Sequence, residues 1–254
     1  MASWPCRPRP RSGEPSQRRS PRFPGFGVKL HFHVDGAGRP IVFTSGIGNT
    51  SSVWADIVQL LNGRAAALCW DLRGHGQSER SAEPKDYASH LAVADLATMI
   101  ANAGGGADNP AVLIGHSLGG YLSLSAAIKY PSLVKALVLI ATGPGFRDEA
   151  AREQWNQFAL TMNIGTDVHP AARQLGVHSD AAVINGLGSI QVPTLVMVGS
   201  EDRRFLAAKD YLATRIPNAS GLAIAGGRHS VHKTHSAGVG PAILSFLEAH
   251  SLLR

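Results

Sequence analysis

The most informative segment of the sequence is Ala111-Val-Leu-Ile-Gly-His-Ser-Leu-Gly-Gly120, followed by a helical pattern that runs to Tyr130 and stops at Pro131. Its first five residues form a continuous apolar run, which is typical of a strand buried on both faces. The G-x-S-x-G pattern around Ser117 is typical of a sharp turn from strand to helix. Such a turn exposes the serine hydroxyl above the sheet edge and directs the N–H of Leu118 to the same place. A chance Gly-Ser-Gly loop fits the short pattern too, but the flanking strand and helix favour a nucleophile.

Strand and helix patterns alternate on both sides of this turn, which predicts an α/β fold with a mostly parallel central sheet and helices on both faces. The predicted strands are Val28–Val34, Pro40–Thr44, Ala65–Trp70, Ala111–Gly115, Val134–Ala141, Thr194–Val198 and Gly221–Ala225. The predicted helices are 50–61, Tyr87–Ala103, Leu118–Tyr130, Asp148–Met162, Phe205–Ile216 and Pro241–Leu252, with a weaker one near 171–176.

The alternation stops between residues 144 and 190, where helical patches occur without an apolar strand run. This predicts a core at residues 26–143 and 191–254, with a small helical lid at 144–190 over the sheet edge. In the lid, aromatic and methionine side chains fall near helical spacing, so they could line a substrate pocket or pack against one another. These residues are Phe146, Trp155, Phe158 and Met162.

Composition and charge narrow the function classes. The chain has 254 residues, 44% of them apolar, which is ordinary for a globular protein. It contains no run near the roughly 20 apolar residues of a membrane-spanning helix. The net charge of +6 is concentrated in residues 1–25, where six arginines face one glutamate. We expect this Pro- and Ser-rich stretch to be a disordered tail, with a transit peptide as the alternative. We expect neither nucleic acid nor membranes as partners.

The two cysteines, Cys6 and Cys69, are too few for a disulfide framework. Cys69 lies in a predicted buried strand and is expected to act as a small apolar side chain. The lack of a disulfide framework favours a reducing, cytoplasmic location. The oligomeric state is not indicated by any pattern in the sequence.

A serine hydroxyl becomes a good nucleophile only when a base removes its proton and a third group holds that base. Asp202 directly follows the predicted strand at 194–198, and His229 follows the one at 221–225. Because parallel strands end at one rim of the sheet, we expect both side chains to lie near Ser117. A lone Asp after a strand is more often a helix cap, and Glu201 is a competitor. The shared order and strand context nevertheless favour a Ser-Asp-His triad.

The remaining histidine clusters are expected at the surface rather than in a metal site. His232, Lys233 and His235 are expected to form a solvated basic turn, since no carboxylate or cysteine at suitable spacing completes a metal site. His31 and His33 on the first predicted strand are expected at the surface. We therefore predict no metal ion and no cofactor.

The stretch Gly46-Ile-Gly-Asn-Thr-Ser51 leaves a second enzyme class to consider, because it lies between a strand and a helix as a dinucleotide-binding loop does. Serine replaces the third glycine, and this interpretation leaves Ser117, Asp202 and His229 unexplained. A ligand-binding protein without turnover is a further alternative, since a fold does not dictate a function.

Four motifs together resemble the α/β-hydrolase superfamily, across about residues 28–250. Gly115–Gly120 resembles its nucleophile elbow, and Asp71–Ser78 resembles the D-x-R-G-x-G-x-S segment of small bacterial members. Leu195–Asp202 and Gly226–His229 resemble its acid and histidine segments. Many relatives have His-Gly where this chain has Ser45-Gly46, so the bracing of that loop must differ.

The resemblance implies roles for individual residues. Ser117 would be the nucleophile, His229 the general base and acid, and Asp202 the carboxylate that orients the histidine. The backbone N–H groups of Ile47 and Leu118 would form the oxyanion hole. The implied reaction is hydrolysis of a small-molecule ester with a small to medium acyl group, through an acyl-enzyme. The same residues would also suit a lactone, the carbon–carbon bond of a dienoate, or cofactor-free peracid formation.

Overall fold

A single seven-stranded sheet organises the computed structural model, which describes residues 28–253. The strands are β1 (Phe32–Asp35), β2 (Pro40–Thr44), β3 (Ala66–Trp70), β4 (Ala111–His116), β5 (Val134–Ile140), β6 (Thr194–Gly199) and β7 (Ala219–Ile224). Their spatial order is β1-β3-β2-β4-β5-β6-β7. Only β1 is antiparallel to its neighbour; every other pair is parallel. The predicted mostly parallel sheet is confirmed. The tail predicted at residues 1–25 lies outside the described residues.

Helices cover both faces of this sheet, as predicted. The α-helices are α1 (Ala55–Leu60), α2 (Ser89–Asn102), α3 (Leu118–Lys129), α4 (Glu149–Thr161), α5 (Ala182–Gly186), α6 (Leu206–Arg215), α7 (Val231–Thr234) and α8 (Ser236–Ala249). Short 3₁₀ segments lie at Ser51–Trp54, Pro84–Tyr87, Pro131–Leu133, Pro170–Gly176 and Leu187–Ser189. Within residues 28–253, no helix is both long enough and apolar enough to cross a bilayer.

Side chains of the central strands alternate between two apolar cores. Leu113 of β4 packs in the core that contains Leu96 of α2 and Leu122 of α3. Its neighbour Ile114 packs in the opposite core, with residues of α1 and α8. Because successive strand residues point to opposite faces, a strand that is apolar throughout must be covered on both sides. This sandwich places the carboxyl ends of the parallel strands at one rim.

The last helix begins five residues earlier than the sequence predicted. Pro241 was expected to start it, but α8 begins at Ser236 and Pro241 lies inside the helix. Val239 and Ile243 are both fully buried, so burial of one face favours helix across Gly238 and Gly240 despite their poor helical propensity. The spacing of four between Val239 and Ile243 was the signal in the sequence that the helix extends before Pro241.

Cys69 lies in the centre of β3 and is 1% exposed. Burial raises the pKa of its thiol to about 12, so the thiol is neutral at physiological pH. The prediction of a small buried apolar side chain is confirmed, whereas Cys6 lies outside the described residues.

Candidate active site

The turn between β4 and α3 holds Ser117 in a backbone conformation that L-residues rarely adopt. Its φ is 51° and its ψ is −117°. The Ser117 N–H donates to the carbonyl of Ile140 at 2.8 Å, and the Ser117 carbonyl accepts from Thr142 Oγ1 at 2.7 Å. Strain of this kind persists only where the surroundings enforce it. Both anchors belong to β5 and the loop after it, and nothing in the sequence singled out Thr142.

Two glycines of the motif are required by close packing. A Cβ atom on Gly115 would lie 2.4 Å from the carbonyl oxygen of Gly119. A Cβ on Gly119 would lie 2.1 Å from the carbonyl oxygen of Thr44. Glycine at position 115 therefore lets the start of α3 fold back on the end of β4, and glycine at position 119 lets the turn approach β2. This approach brings Ser117 beside the loop after β2.

Three side chains from distant parts of the chain meet at this turn. Ser117 Oγ lies 3.0 Å from His229 Nε2, and His229 Nδ1 lies 2.9 Å from Asp202 Oδ2. Because a carboxylate can only accept, His229 Nδ1 carries the hydrogen and Nε2 is free to accept from the serine hydroxyl. The side chain of Asp202 is 5% exposed, whereas that of His229 is 43% exposed. The imidazole is thus oriented from its buried side and open on its reactive side.

The loops that carry the acid and the histidine support each other. Glu201 N–H donates to the carbonyl of Gly227 at 2.8 Å, which joins the loop after β6 to the loop after β7. The Glu201 side chain points away and pairs with Arg228 at 3.2 Å on the surface. Asp202, and not its neighbour Glu201, therefore contacts the imidazole.

The two residues expected to supply oxyanion donors lie at the same cavity as Ser117. Ile47 and Leu118 both line the cavity that contains Ser117. Within residues 28–253, neither backbone N–H has a hydrogen-bond acceptor. The Leu118 N–H is also at the positive N-terminal end of α3. Two unpaired donors beside a serine hydroxyl can stabilise negative charge on a substrate oxygen.

The loop after β2 is braced by Ser45, at the position where many relatives carry histidine. Ser45 Oγ accepts from Trp54 Nε1 at 2.9 Å and donates to the Thr50 carbonyl at 3.0 Å. The side chain spans the loop internally, so its shape does not depend on a histidine. These two hydrogen bonds explain how the loop is braced with Ser45 in place of the histidine that many relatives carry.

The segment that follows β3 supports the same loop from the other side. His75 Nε2 accepts from the Gly48 N–H at 3.1 Å, and His75 Nδ1 donates to the Arg73 carbonyl at 3.1 Å. Burial lowers the pKa of His75 to about 4, which keeps the ring neutral and able to accept. Asp71 adds a second link, because its carboxylate accepts from the Ser51 N–H at 2.7 Å. The sequence resemblance identified the segment Asp71–Ser78 as a family motif, but it did not indicate that the segment supports the loop after β2.

A buried ion pair anchors that segment to α2. Arg73 forms two hydrogen bonds with the Asp95 carboxylate, at 2.7 and 2.8 Å. The side chains are 3% and 6% exposed. A two-point contact of this kind satisfies both buried charges and fixes the direction of the arginine.

The expectation that His232 lies in a solvated turn is wrong. His232 is 1% exposed, and its ring lies 4.0 Å from that of His116 and 4.9 Å from that of Trp54. Neither ring nitrogen of His232 has a hydrogen-bond partner in the described part of the chain. Helix α7 turns this side chain inward, while Lys233 stays exposed. A turn of only four helical residues has too little apolar periodicity to reveal this orientation.

His116, the residue before the serine, contacts the loop of His229. Its Nε2 donates to the His229 carbonyl at 2.9 Å, and the two rings lie 5.0 Å apart. Burial and the neighbouring His232 lower the pKa of His116 well below its ordinary value, so the ring is neutral. His116 therefore links the strand-to-helix turn to the histidine loop.

The cavity above Ser117 has a volume of about 930 Å³. All of the site residues predicted from the sequence contribute to its lining: Ile47, Ser117, Leu118, Phe146, Trp155, Phe158, Met162, Asp202 and His229. The aromatic side chains in this set also pack on one another, since the ring centroids of Trp155 and Phe158 lie 5.6 Å apart and those of Phe146 and Trp155 lie 5.9 Å apart. They therefore line the cavity and contact each other, and their role in a substrate pocket stays a prediction. Four further aromatic residues belong to the lining: His116, Tyr121, His178 and Phe205.

A family model described as the alpha/beta hydrolase fold matches residues 39–179, more than half of the chain. The chain belongs to the alpha/beta hydrolase family. The sequence resemblance and the predicted fold are thereby confirmed. Membership also displaces the dinucleotide-binding interpretation of the loop after β2.

Comparisons with individual proteins extend the likeness beyond the matched region. The (E)-2-((N-methylformamido)methylene)succinate hydrolase of Acinetobacter baylyi is 23% identical over 86% of this chain and 94% of that protein. The 2-(acetamidomethylene)succinate hydrolase of Mesorhizobium japonicum is 35% identical over 48% of this chain and 42% of that protein. The solved structure of MenH from S. aureus superposes with a TM-score of 0.77 at 20% identity, over 88% of this chain and 99% of that one.

These matches support a hydrolase in general terms. The structural neighbour shows the fold, and the two curated relatives are named as hydrolases. The chain spans between 12% and 42% of the length of the first three curated relatives that it matches. The bond cleaved by this chain is therefore argued from its own site.

Proposed function

We propose that this chain is a serine hydrolase that cleaves carboxylic esters, with Ser117, His229 and Asp202 as its catalytic triad. The observation that carries the proposal is the continuous chain of hydrogen bonds from Ser117 Oγ through His229 to Asp202, at 3.0 and 2.9 Å. Ile47 and Leu118, whose backbone N–H groups have no acceptor within residues 28–253, line the same cavity as Ser117. A nucleophile, a base, an orienting acid and oxyanion donors are the parts that acyl transfer requires.

The first half of the reaction forms an acyl-enzyme. His229 Nε2 removes the hydroxyl proton while Ser117 Oγ attacks the substrate carbonyl, whose oxygen becomes negative. The N–H groups of Ile47 and Leu118 stabilise that oxygen, and each such donor contributes about 3 kcal/mol to the barrier reduction. The imidazolium, stabilised by Asp202, then protonates the departing alcohol.

The second half releases the acid. His229 removes a proton from a water molecule, which attacks the ester carbonyl on Ser117, and the same oxyanion donors act again. The protonated histidine returns the proton to Ser117 Oγ. Asp202 stays ionised throughout and holds the imidazole in one orientation.

The cavity supports a small to medium acyl group. Its volume of about 930 Å³ and its wall of Phe146, Trp155, Phe158 and Met162 suit an apolar chain rather than a polymer. The same groups would attack the carbonyl of a lactone or assist cleavage of a dienoate carbon–carbon bond. A panel of methyl esters, lactones and ring-fission products, compared by kcat/KM, ranks these three substrate classes.

Labelling by a fluorophosphonate probe tests the proposal directly. We expect the probe to modify Ser117, as identified by peptide mass spectrometry, because only an activated serine reacts. Ser117→Ala should abolish both labelling and ester turnover. Ser125→Ala on the same helix is the matched control, since Ser125 does not line the cavity, and it should label and turn over like the parent. Parental turnover by Ser117→Ala would disprove the assignment.

A further inference from the structure

One cation faces the cavity above Ser117. Among the described residues that line this cavity, Arg204 is the only lysine or arginine and Asp202 is the only acid. Asp202 is committed to His229 at 2.9 Å. The cavity is otherwise lined by aromatic, aliphatic and uncharged polar side chains. Among the described lining residues, the Arg204 guanidinium is therefore the only permanent positive charge that could pair with an anionic group of a ligand.

Arg204 has no ionic partner of its own in the described part of the chain. The nearest acids along the chain are already paired, Glu201 with Arg228 at 3.2 Å and Asp202 with His229 at 2.9 Å. The side chain is exposed at the edge of an apolar cavity, so water solvates its charge until a ligand binds. A ligand with an anionic end can pair with this guanidinium without displacing a partner of the protein's own.

An aromatic side chain holds the guanidinium in place. Arg204 Cζ lies 4.0 Å from the ring centroid of Phe158 and 6.0 Å from that of Trp155. A guanidinium that stacks by its face keeps its N–H groups free along its edge. Two parallel N–H groups on that edge match the two oxygens of a carboxylate.

A row of aromatic rings connects the proposed base to this guanidinium. Phe205 stacks on His229 at 5.0 Å, Trp155 contacts Phe205 at 6.3 Å, and Phe158 contacts Trp155 at 5.6 Å. An aliphatic chain bound along this row would have its reacting carbonyl at Ser117 and its far end near Arg204. Rings along such a row would bury the methylene groups of that chain away from water.

We propose that Arg204 makes this site selective for esters that carry a carboxylate at the far end of an aliphatic chain. The proposal rests on ester hydrolysis at Ser117. The substrate class is then the half-ester of a dicarboxylic acid, or an ester of comparable shape with one terminal anion. Arg204 binds the anion and takes no part in the bond-breaking step.

Matched pairs of substrates test this selectivity. Monomethyl esters of the dicarboxylic acids from glutaric to suberic are compared with the methyl esters in which a methyl group replaces the free carboxylate. We expect the parent protein to prefer the anionic ester by about tenfold or more in kcat/KM at one chain length, mainly through a lower KM. Raising the NaCl concentration from 0.05 to 0.5 M should reduce this preference, because the guanidinium is exposed.

Variants at two adjacent arginines give the decisive comparison. Arg204→Gln should reduce about tenfold the ratio of kcat/KM for the anionic ester to kcat/KM for the neutral ester. Arg204→Lys should give an intermediate ratio, because lysine keeps the positive charge but lacks the planar guanidinium. Arg203→Gln is the control, since Arg203 is exposed and does not line the cavity; its ratio should equal that of the parent. Equal losses in both glutamine variants, or a parent that hydrolyses neutral esters with no anionic preference, would overturn the role of Arg204. A parent that hydrolyses neither kind would instead overturn the proposed function.

Discussion

At the scale of single residues, the environment of Asp202 decides how His229 can act. The carboxylate is 5% exposed and accepts from His229 Nδ1 at 2.9 Å, which leaves Nε2 for the Ser117 hydroxyl. The geometry therefore depends on an acceptor at Asp202 that cannot donate. An amide at this position could present its NH₂ group to the ring and select the opposite tautomer.

This dependence gives a prediction for Asp202→Asn. We expect kcat for ester hydrolysis to fall by about 10⁴-fold with little change in fold, because the imidazole would no longer present a free Nε2 to the serine. Steady-state kinetics and circular dichroism measure the two effects. Glu201→Gln is the matched control, because that carboxylate pairs with Arg228 on the surface, and it should keep the parental kcat. A kcat for Asp202→Asn within tenfold of the parent would contradict the assignment of the orienting acid.

At the scale of elements, two loops from neighbouring strands act as one unit. The loop after β2 carries Ile47, and the segment after β3 carries His75, whose Nε2 accepts from the Gly48 N–H at 3.1 Å. The contact fixes the backbone beside the Ile47 N–H without involving any reacting atom. His75 is therefore a positioning residue for the proposed oxyanion hole.

Variants of His75 should affect kcat more than KM. We expect His75→Leu to lower kcat about tenfold with KM nearly unchanged, because the donor it positions acts on the transition state. It should also reduce the free energy of unfolding by about 2 kcal/mol, since the Gly48 N–H loses its acceptor. His75→Gln should recover most of kcat, because its amide oxygen can accept from the same N–H. A purely structural role would lower stability in His75→Leu without the selective loss of kcat that glutamine restores.

At the scale of the whole molecule, four buried histidines make the fold sensitive to acid. Burial lowers the pKa to about 4 for His75 and His178 and to about 3 for His232, and it lowers that of His116 well below the ordinary value. In the unfolded chain each ring titrates near its usual pKa of about 6.5. Below that pH the unfolded state binds more protons than the folded state, so stability falls as the pH falls.

The free energy of unfolding should accordingly decrease between pH 6.5 and pH 4. Each buried ring contributes a slope of about 1.4 kcal/mol per pH unit once its unfolded form is protonated. Urea denaturation at pH 7, 6 and 5 measures the trend. Replacing buried His232 by Phe should reduce the slope of unfolding free energy against pH by the contribution of one proton. The same change at exposed His33 should leave the slope unchanged. Equal stability at pH 7 and pH 5 would contradict this account.

The sequence determined the parts of the structure that depend on local pattern. Continuous apolar runs identified the central strands within one or two residues, because burial on both faces leaves a signature in consecutive positions. The positions of Ser117, Asp202 and His229 were predictable as well, because each of them follows a strand that such a pattern identifies. Parallel topology then required all three to lie at one rim.

Contacts between elements, and the exact start of the last helix, became known from the folded structure alone. His232 was expected in solvent and is buried against His116, and Pro241 was expected at a helix start and lies inside one. The brace from His75 to Gly48 and the aromatic row that ends at Arg204 join residues far apart in the chain. Such contacts arise from packing between elements, and neither spacing nor propensity within one element encodes them.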